Sequence, residues 1–86
     1  MRLTVAVVQQ LLDQNDGFED TTRDRQKNFT IYTRYRISDG ELHIQESGNT
    51  SWADSRFSNA PRVATIEQTR RFLRPRLGSL KTDGIE

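Results

Sequence analysis

The dipeptide Asp39-Gly40 constrains the fold of this chain more than any other feature. Both residues tolerate the positive φ angles that a two-residue type I′ turn demands, and alternating runs flank them over 28–38 and 41–46. With Asp39 and Gly40 as the loop, Ser38 faces Glu41, Ile37 faces Leu42 and Tyr35 faces Ile44. Phe29, Ile31, Tyr35, Ile37, Leu42 and Ile44 then share one face. Tyr32, Arg34 opposite Gln45, and Arg36 opposite His43 share the other. Turn chemistry and side-chain pattern agree on one register, and that register implies an antiparallel sheet with one apolar and one wet face.

The segments on either side read as helices. Over residues 4–14, Thr4 is a suitable N-cap, Leu3 and Val8 hold the positions of a hydrophobic staple, and Val5, Val8, Leu11 and Leu12 recur at helical spacing. Asn15-Asp16-Gly17 is a stop signal. The β-branched Val5, Val7 and Val8 make a strand over 2–8 the rival reading, but the continuation Gln9-Gln10-Leu11-Leu12-Asp13-Gln14 favours helix. Thr65 with Gln68 has capping-box spacing and opens a second helix. Its inner side is expected to run from Val63 and Ile66 to Phe72, Leu73 and Leu77, and Pro75 ends it near Arg74. Residues 18–25 read as a charged edge strand, 47–51 as a loop, and 52–57 as a short strand or irregular segment before Ala60-Pro61. The expected fold is a small α+β domain of order α-β-β-β-α. A three-stranded antiparallel meander carries both helices on one face, with a single domain over 1–77 and a flexible tail over 78–86.

Bulk properties narrow the function classes. Leu, Ile, Val and Phe supply 20 of 86 residues, and net charge is +1. That apolar share lies just above the level of about one-fifth typical of disordered chains, so a folded but lean core is expected. Cores this lean are often completed by oligomerisation, so a homo-oligomer fits. The chain has no Cys, which removes disulfides, thiolate nucleophiles and cysteine metal sites. It shows no membrane-length apolar run and no signal-peptide pattern, which makes the cytoplasm the expected compartment. The glycosylation-like tripeptides at Asn28 and Asn49 are then chance matches.

Arginine outnumbers lysine 11 to 2, and charge is segregated along the chain. Residues 13–24 hold Asp13, Asp16, Glu19, Asp20 and Asp24 against Arg23. Residues 56–81 hold seven basic side chains against Glu67. Such a bipolar chain can steer a charged partner, or its two halves can neutralise each other. Trp52-Ala-Asp54-Ser-Arg56-Phe57 sets aromatic beside charged residues, a composition typical of interface anchors, although Trp52 would also serve as a core plug. Together with Arg70, Arg71 and Arg74 at the end of the second helix, Trp52, Asp54, Arg56 and Phe57 form the candidate surface for a protein partner. The wet sheet face, with Tyr32, Arg34, Arg36 and His43, is the candidate nucleic-acid face, because bases stack on aromatics and guanidinium groups hold phosphate.

No catalytic constellation is present. His43 is the only His, and neither a nucleophile nor an orienting carboxylate is placed beside it by spacing. The stretch Asp13–Asp24 resembles a calcium loop only in passing, since Gly17 is one position early and Asp24 replaces the closing Glu. No cofactor or metal is implied. The sequence therefore points to a non-enzymatic interaction module with a protein partner, and to weak nucleic-acid binding as the alternative.

Overall fold

The computed structural model describes residues 2–50 and 56–85. Helix α1 spans Val5–Gln14 and begins at Thr4, whose side-chain oxygen accepts a hydrogen bond from the Val7 amide at 3.2 Å. Val8, Leu11 and Leu12 are buried, so the helical period outweighs the β-branched residues at its start. The amide of Asn15 closes the last turn onto Leu11, and Gly17 turns the chain with φ 89°. The chain then joins the sheet at once. The Gly17 amide donates to the Ile37 carbonyl, the Ile37 amide to the Phe18 carbonyl, and the Asp39 amide to Asp16 Oδ1.

Strand β1 (Glu19–Arg25) pairs antiparallel with β2 (Phe29–Ser38), which pairs with β3 (Glu41–Thr50). The hairpin has the register expected from its turn. Ser38 pairs with Glu41, Ile37 with Leu42, Tyr35 with Ile44 and Arg36 with His43, while Asp39 and Gly40 take φ 54° and 73°. The sheet is wider than the three-stranded meander. Strand β4 (Arg56–Ser58) pairs with the far end of β3, and β5 (Arg62–Val63) pairs with β3 near the turn. These strands have three and two residues, too short to show alternation, and Pro61 separates them. Helix α2 (Ile66–Leu73) carries the full Thr65–Gln68 capping box, and Pro75 converts the chain to a 3-10 turn over Arg74–Arg76. The protein is thus a small α+β fold with both helices against one sheet face.

The core lies where α1 and α2 meet the turn half of the hairpin. Leu11, Ile37, Leu42 and Leu73 are sealed from solvent, with Val8, Ile44 and Phe72 around them. Tyr35 lies half-buried with its ring 4.7 Å from that of Phe72. Val63 and Ile66 do not join this core. Register places Val63 beside His43 on the wet face, and Ile66 stays exposed in the first turn of α2.

The segment expected as a flexible tail is tied down as far as Ile85. Leu80 is buried, and Ile85 packs against the core. Asn15 is the reason. Its buried amide group donates to the Leu11 and Lys81 carbonyls and accepts from the Lys81 amide at 2.8 Å, as another strand would. Gln14 makes the same two-sided exchange with Asp83.

Rise per residue determines what the helices can cover. Ten-residue strands run about 33 Å, whereas helices of ten and eight residues run only about 15 and 12 Å. The far half of the hairpin therefore projects beyond them, and the molecule measures 50 × 21 × 19 Å. Out there Phe29 and Phe57 remain 40% and 45% exposed. Phe57 nevertheless has a fixed seat over Gly48, where an added Cβ would stand 2.6 Å from its ring and 2.7 Å from the Thr30 carbonyl oxygen.

Two stability outcomes follow, both measurable by urea denaturation. Tyr35→Ala should cost about 2–4 kcal/mol, because it empties the space against Phe72, while Tyr32→Ala on the wet face should stay within about 0.5 kcal/mol. Equal costs would contradict the assignment of faces. Asn15→Ala should cost about 1–3 kcal/mol by leaving the Lys81 peptide without its partner. It should also raise amide exchange at Lys81 and Asp83 specifically.

Candidate functional site

Side chains alternate along each strand, so the register sorts the charges of the sheet between its faces. In β1 the residues Glu19, Thr21, Arg23 and Arg25 pair with Arg36, Arg34, Tyr32 and Thr30 and lie on the wet face. Asp20 and Asp24 pair with Tyr35 and Ile31 and lie on the helix face. In β4, Arg56 pairs with Asn49 on the wet face and Phe57 with Gly48 on the helix face. The uncovered face thus carries Arg23, Arg25, Arg34, Arg36 and Arg56, with Tyr32 among them and His43 beside Arg36. Among the described residues its acidic side chains are Glu19 and Glu41, at the turn end.

Glu19 is held within this arginine field. Its Oε1 lies 3.1 Å from Arg34 and 3.5 Å from Arg36. All three side chains are about half exposed, so the pairs are worth little, and the remaining guanidinium N–H groups have no carboxylate partner among the described residues. Two hollows open on the same face. One of about 380 Å³ is lined on this face by Tyr32, Ser47, Asn49, Arg56 and Ser58 and also reaches Gly48 and Phe57. The other, about 120 Å³, lies among Arg34, Arg36, His43, Gln45 and Pro61, with no carboxylate among the described residues of its wall.

The structure brings Tyr32, Arg34, Arg36 and His43 together as their spacing implies, and it adds Arg23, Arg25 and Arg56. Reading β1 by its two-residue period would have found Arg23 and Arg25. Arg56 needed the pairing of β4. The other candidate surface is not assembled among the described residues, and Trp52 and Asp54 lie outside them. Arg56 and Phe57 point to opposite faces. Arg70 is engaged by the Leu3 carbonyl at 2.8 Å and by Glu67, while Arg71 faces a different hollow from Arg74. Residues 13–24 form no loop of calcium type, since Asp13 and Gln14 end α1 and Glu19–Asp24 lie in β1.

The acidic and basic segments meet through one strong contact, between Asp20 and Arg76 at 2.8 Å. The Arg76 guanidinium also donates to the Phe72 carbonyl and lies 4.1 Å from the Phe72 ring centre. That hydrogen bond from Arg76 holds the Asp20 carboxyl below the usual aspartate range, with the Thr21 amide adding to it against the opposing effect of burial. The chain matches no family model, no curated protein and no solved structure. No helix among the described residues is long and apolar enough to cross a membrane.

The depressed Asp20 sets a pH dependence with a definite sign. Its contribution to stability is complete above the ordinary aspartate value of about 3.9 and is lost as pH falls through the lower folded value. Asp20→Asn should therefore lower the urea midpoint at neutral pH and shrink the further loss as pH falls below the ordinary aspartate range. A variant that kept the full acid sensitivity of the wild type would rule out the Asp20–Arg76 contact as its source.

Proposed function

We propose that this protein is a non-enzymatic cytoplasmic binding domain that holds single-stranded nucleic acid on its uncovered sheet face. One observation carries the reading. Strand alternation gathers Arg23, Arg25, Arg34, Arg36 and Arg56 around Tyr32 and sends Asp20 and Asp24 to the other side. A chain of net charge +1 thereby presents a locally cationic surface. On such a surface guanidinium groups take phosphates, and Tyr32 offers a ring to a base. The hollow beside Tyr32 supplies hydroxyl and amide groups from Ser47, Asn49 and Ser58 to the edge of that base. Residues of one strand on one face recur about every 7 Å, so a single strand can follow the rows without a groove.

A protein partner is the second reading. It draws support from the exposed Phe29 and Phe57 on the helix face of the projecting half, an apolar surface that nucleic acid would not need.

Fluorescence anisotropy with labelled single-stranded DNA and RNA separates the two. Binding should weaken as salt rises, and Arg34→Ala with Arg36→Ala should flatten the log–log slope by about 1.4, the loss of two phosphate contacts. Tyr32→Ala should cost about 1–3 kcal/mol through lost stacking. Glu19→Gln should tighten binding, because it releases Arg34 and Arg36 from their carboxylate. Absence of binding at about 10–100 μM in low salt, where even non-specific binders respond, would overturn the nucleic-acid reading and leave the protein partner.

A further inference from the structure

On the opposite side of the sheet, α2 and the hairpin enclose a cleft of about 330 Å³. We propose that this cleft is a separate binding site for a small organic anion, one with a carboxylate or phosphate on a flat apolar body. The size falls within the range of small-ligand sites, and the wall combines apolar surface with a few polar groups. Ile44, Tyr35 and Phe72 form the apolar part. The polar part is weighted toward cations, with Arg62, Arg71 and Arg76 against Glu46.

Gln68 adds a donor. Its Oε1 accepts from the Thr65 amide at 3.0 Å and from Arg62 at 3.1 Å, which fixes the side-chain amide and leaves Nε2 without a partner among the described residues, in a side chain that lines the cleft. Arg71 lines the same space, and among the described residues its guanidinium has neither a carboxylate nor a hydrogen-bond partner. Tyr35 and Thr33 also line the cleft, and a hydroxyl can donate to an anion as well as accept. The one acidic side chain in the wall, Glu46, is 3.5 Å from Arg62 and so is already countered. Arg76 also lines the cleft, but Asp20 counters its charge at 2.8 Å, so the uncompensated cation of the wall is Arg71. With Glu46 countered by Arg62, the unpaired Arg71 guanidinium beside the Gln68 amide calls for an oxyanion, and the Arg71 fork suits the planar or tetrahedral oxygens of carboxylate and phosphate. The rings of Tyr35 and Phe72, with centres 4.7 Å apart, line the same space, so the ligand body is apolar.

The test is an NMR titration of the labelled full chain with phenyl phosphate and with benzoate, using inorganic phosphate and benzyl alcohol as comparison probes. Saturable amide shifts should centre on Gln68, Arg71 and Phe72, with inorganic phosphate weaker and benzyl alcohol silent. Tighter binding of phenyl phosphate or of benzoate identifies which oxyanion the site prefers. Arg71→Ala should weaken binding about tenfold, the loss of one charge-assisted hydrogen bond. Gln68→Glu gives the sharper result. It preserves the capping box, since Glu serves there as well as Gln, yet it replaces the donor with an anionic oxygen and should abolish binding. Arg34→Ala with Arg36→Ala, on the other face, should leave the titration unchanged, so the outcome is independent of nucleic-acid binding. Non-saturating shifts, shifts centred on the wet face, or wild-type affinity in both cleft variants would overturn the proposal.

Discussion

The rest of this structure depends on the register imposed by Asp39 and Gly40. Because side chains alternate, a slip of one residue along β2 and β3 would send Ile37, Leu42 and Ile44 into water and bring Arg36 and His43 against the helices. The turn therefore acts on more than its own neighbourhood. It decides which residues form the core, and through the pairing of β1 with β2 it decides where the charges of β1 go. Helix α1 reinforces the turn at close range, with Gln9 donating to the Gly40 carbonyl and Asp16 accepting from the Asp39 amide. The turn residues, the first helix and its exit loop thus form one hydrogen-bonded corner.

Outward from that corner, the difference in rise between helix and strand governs the architecture. The helices cover the half of the sheet that they can reach, and beyond them the hairpin continues as a ribbon with two accessible faces. Residues that would be core in a fully covered sheet, such as Phe29 and Phe57, become surface. The cleft between α2 and the hairpin lies at the limit of that cover, which explains why apolar rings and solvated guanidinium groups share its walls.

Most of the fold was legible because short-range signals agreed. Thr4, Thr65 with Gln68, Asp39-Gly40 and Pro75 each mark a boundary by a local mechanism, and the apolar period between them names the element. The parts that were not legible rest on long-range pairing. Nothing near Leu80 or Lys81 announces that Asn15 will bind the chain there, and a strand of two residues at Arg62–Val63 shows no period. The candidate interface was half legible for the same reason. Tyr32, Arg34, Arg36 and His43 follow from one hairpin, whereas Arg56 arrives on a strand whose partner is not its neighbour in sequence. In the cleft, Gln68 was read as a cap. Its second role depends on the direction of its amide, which only Arg62 and the Thr65 amide together determine.

The bond between Asn15 and Lys81 also ties together distant parts of the chain. The polar end of α1 is satisfied by a residue 66 positions away, and the same segment brings Leu80 into the core. The core is thus shut on that side by a remote latch as well as by its apolar strands.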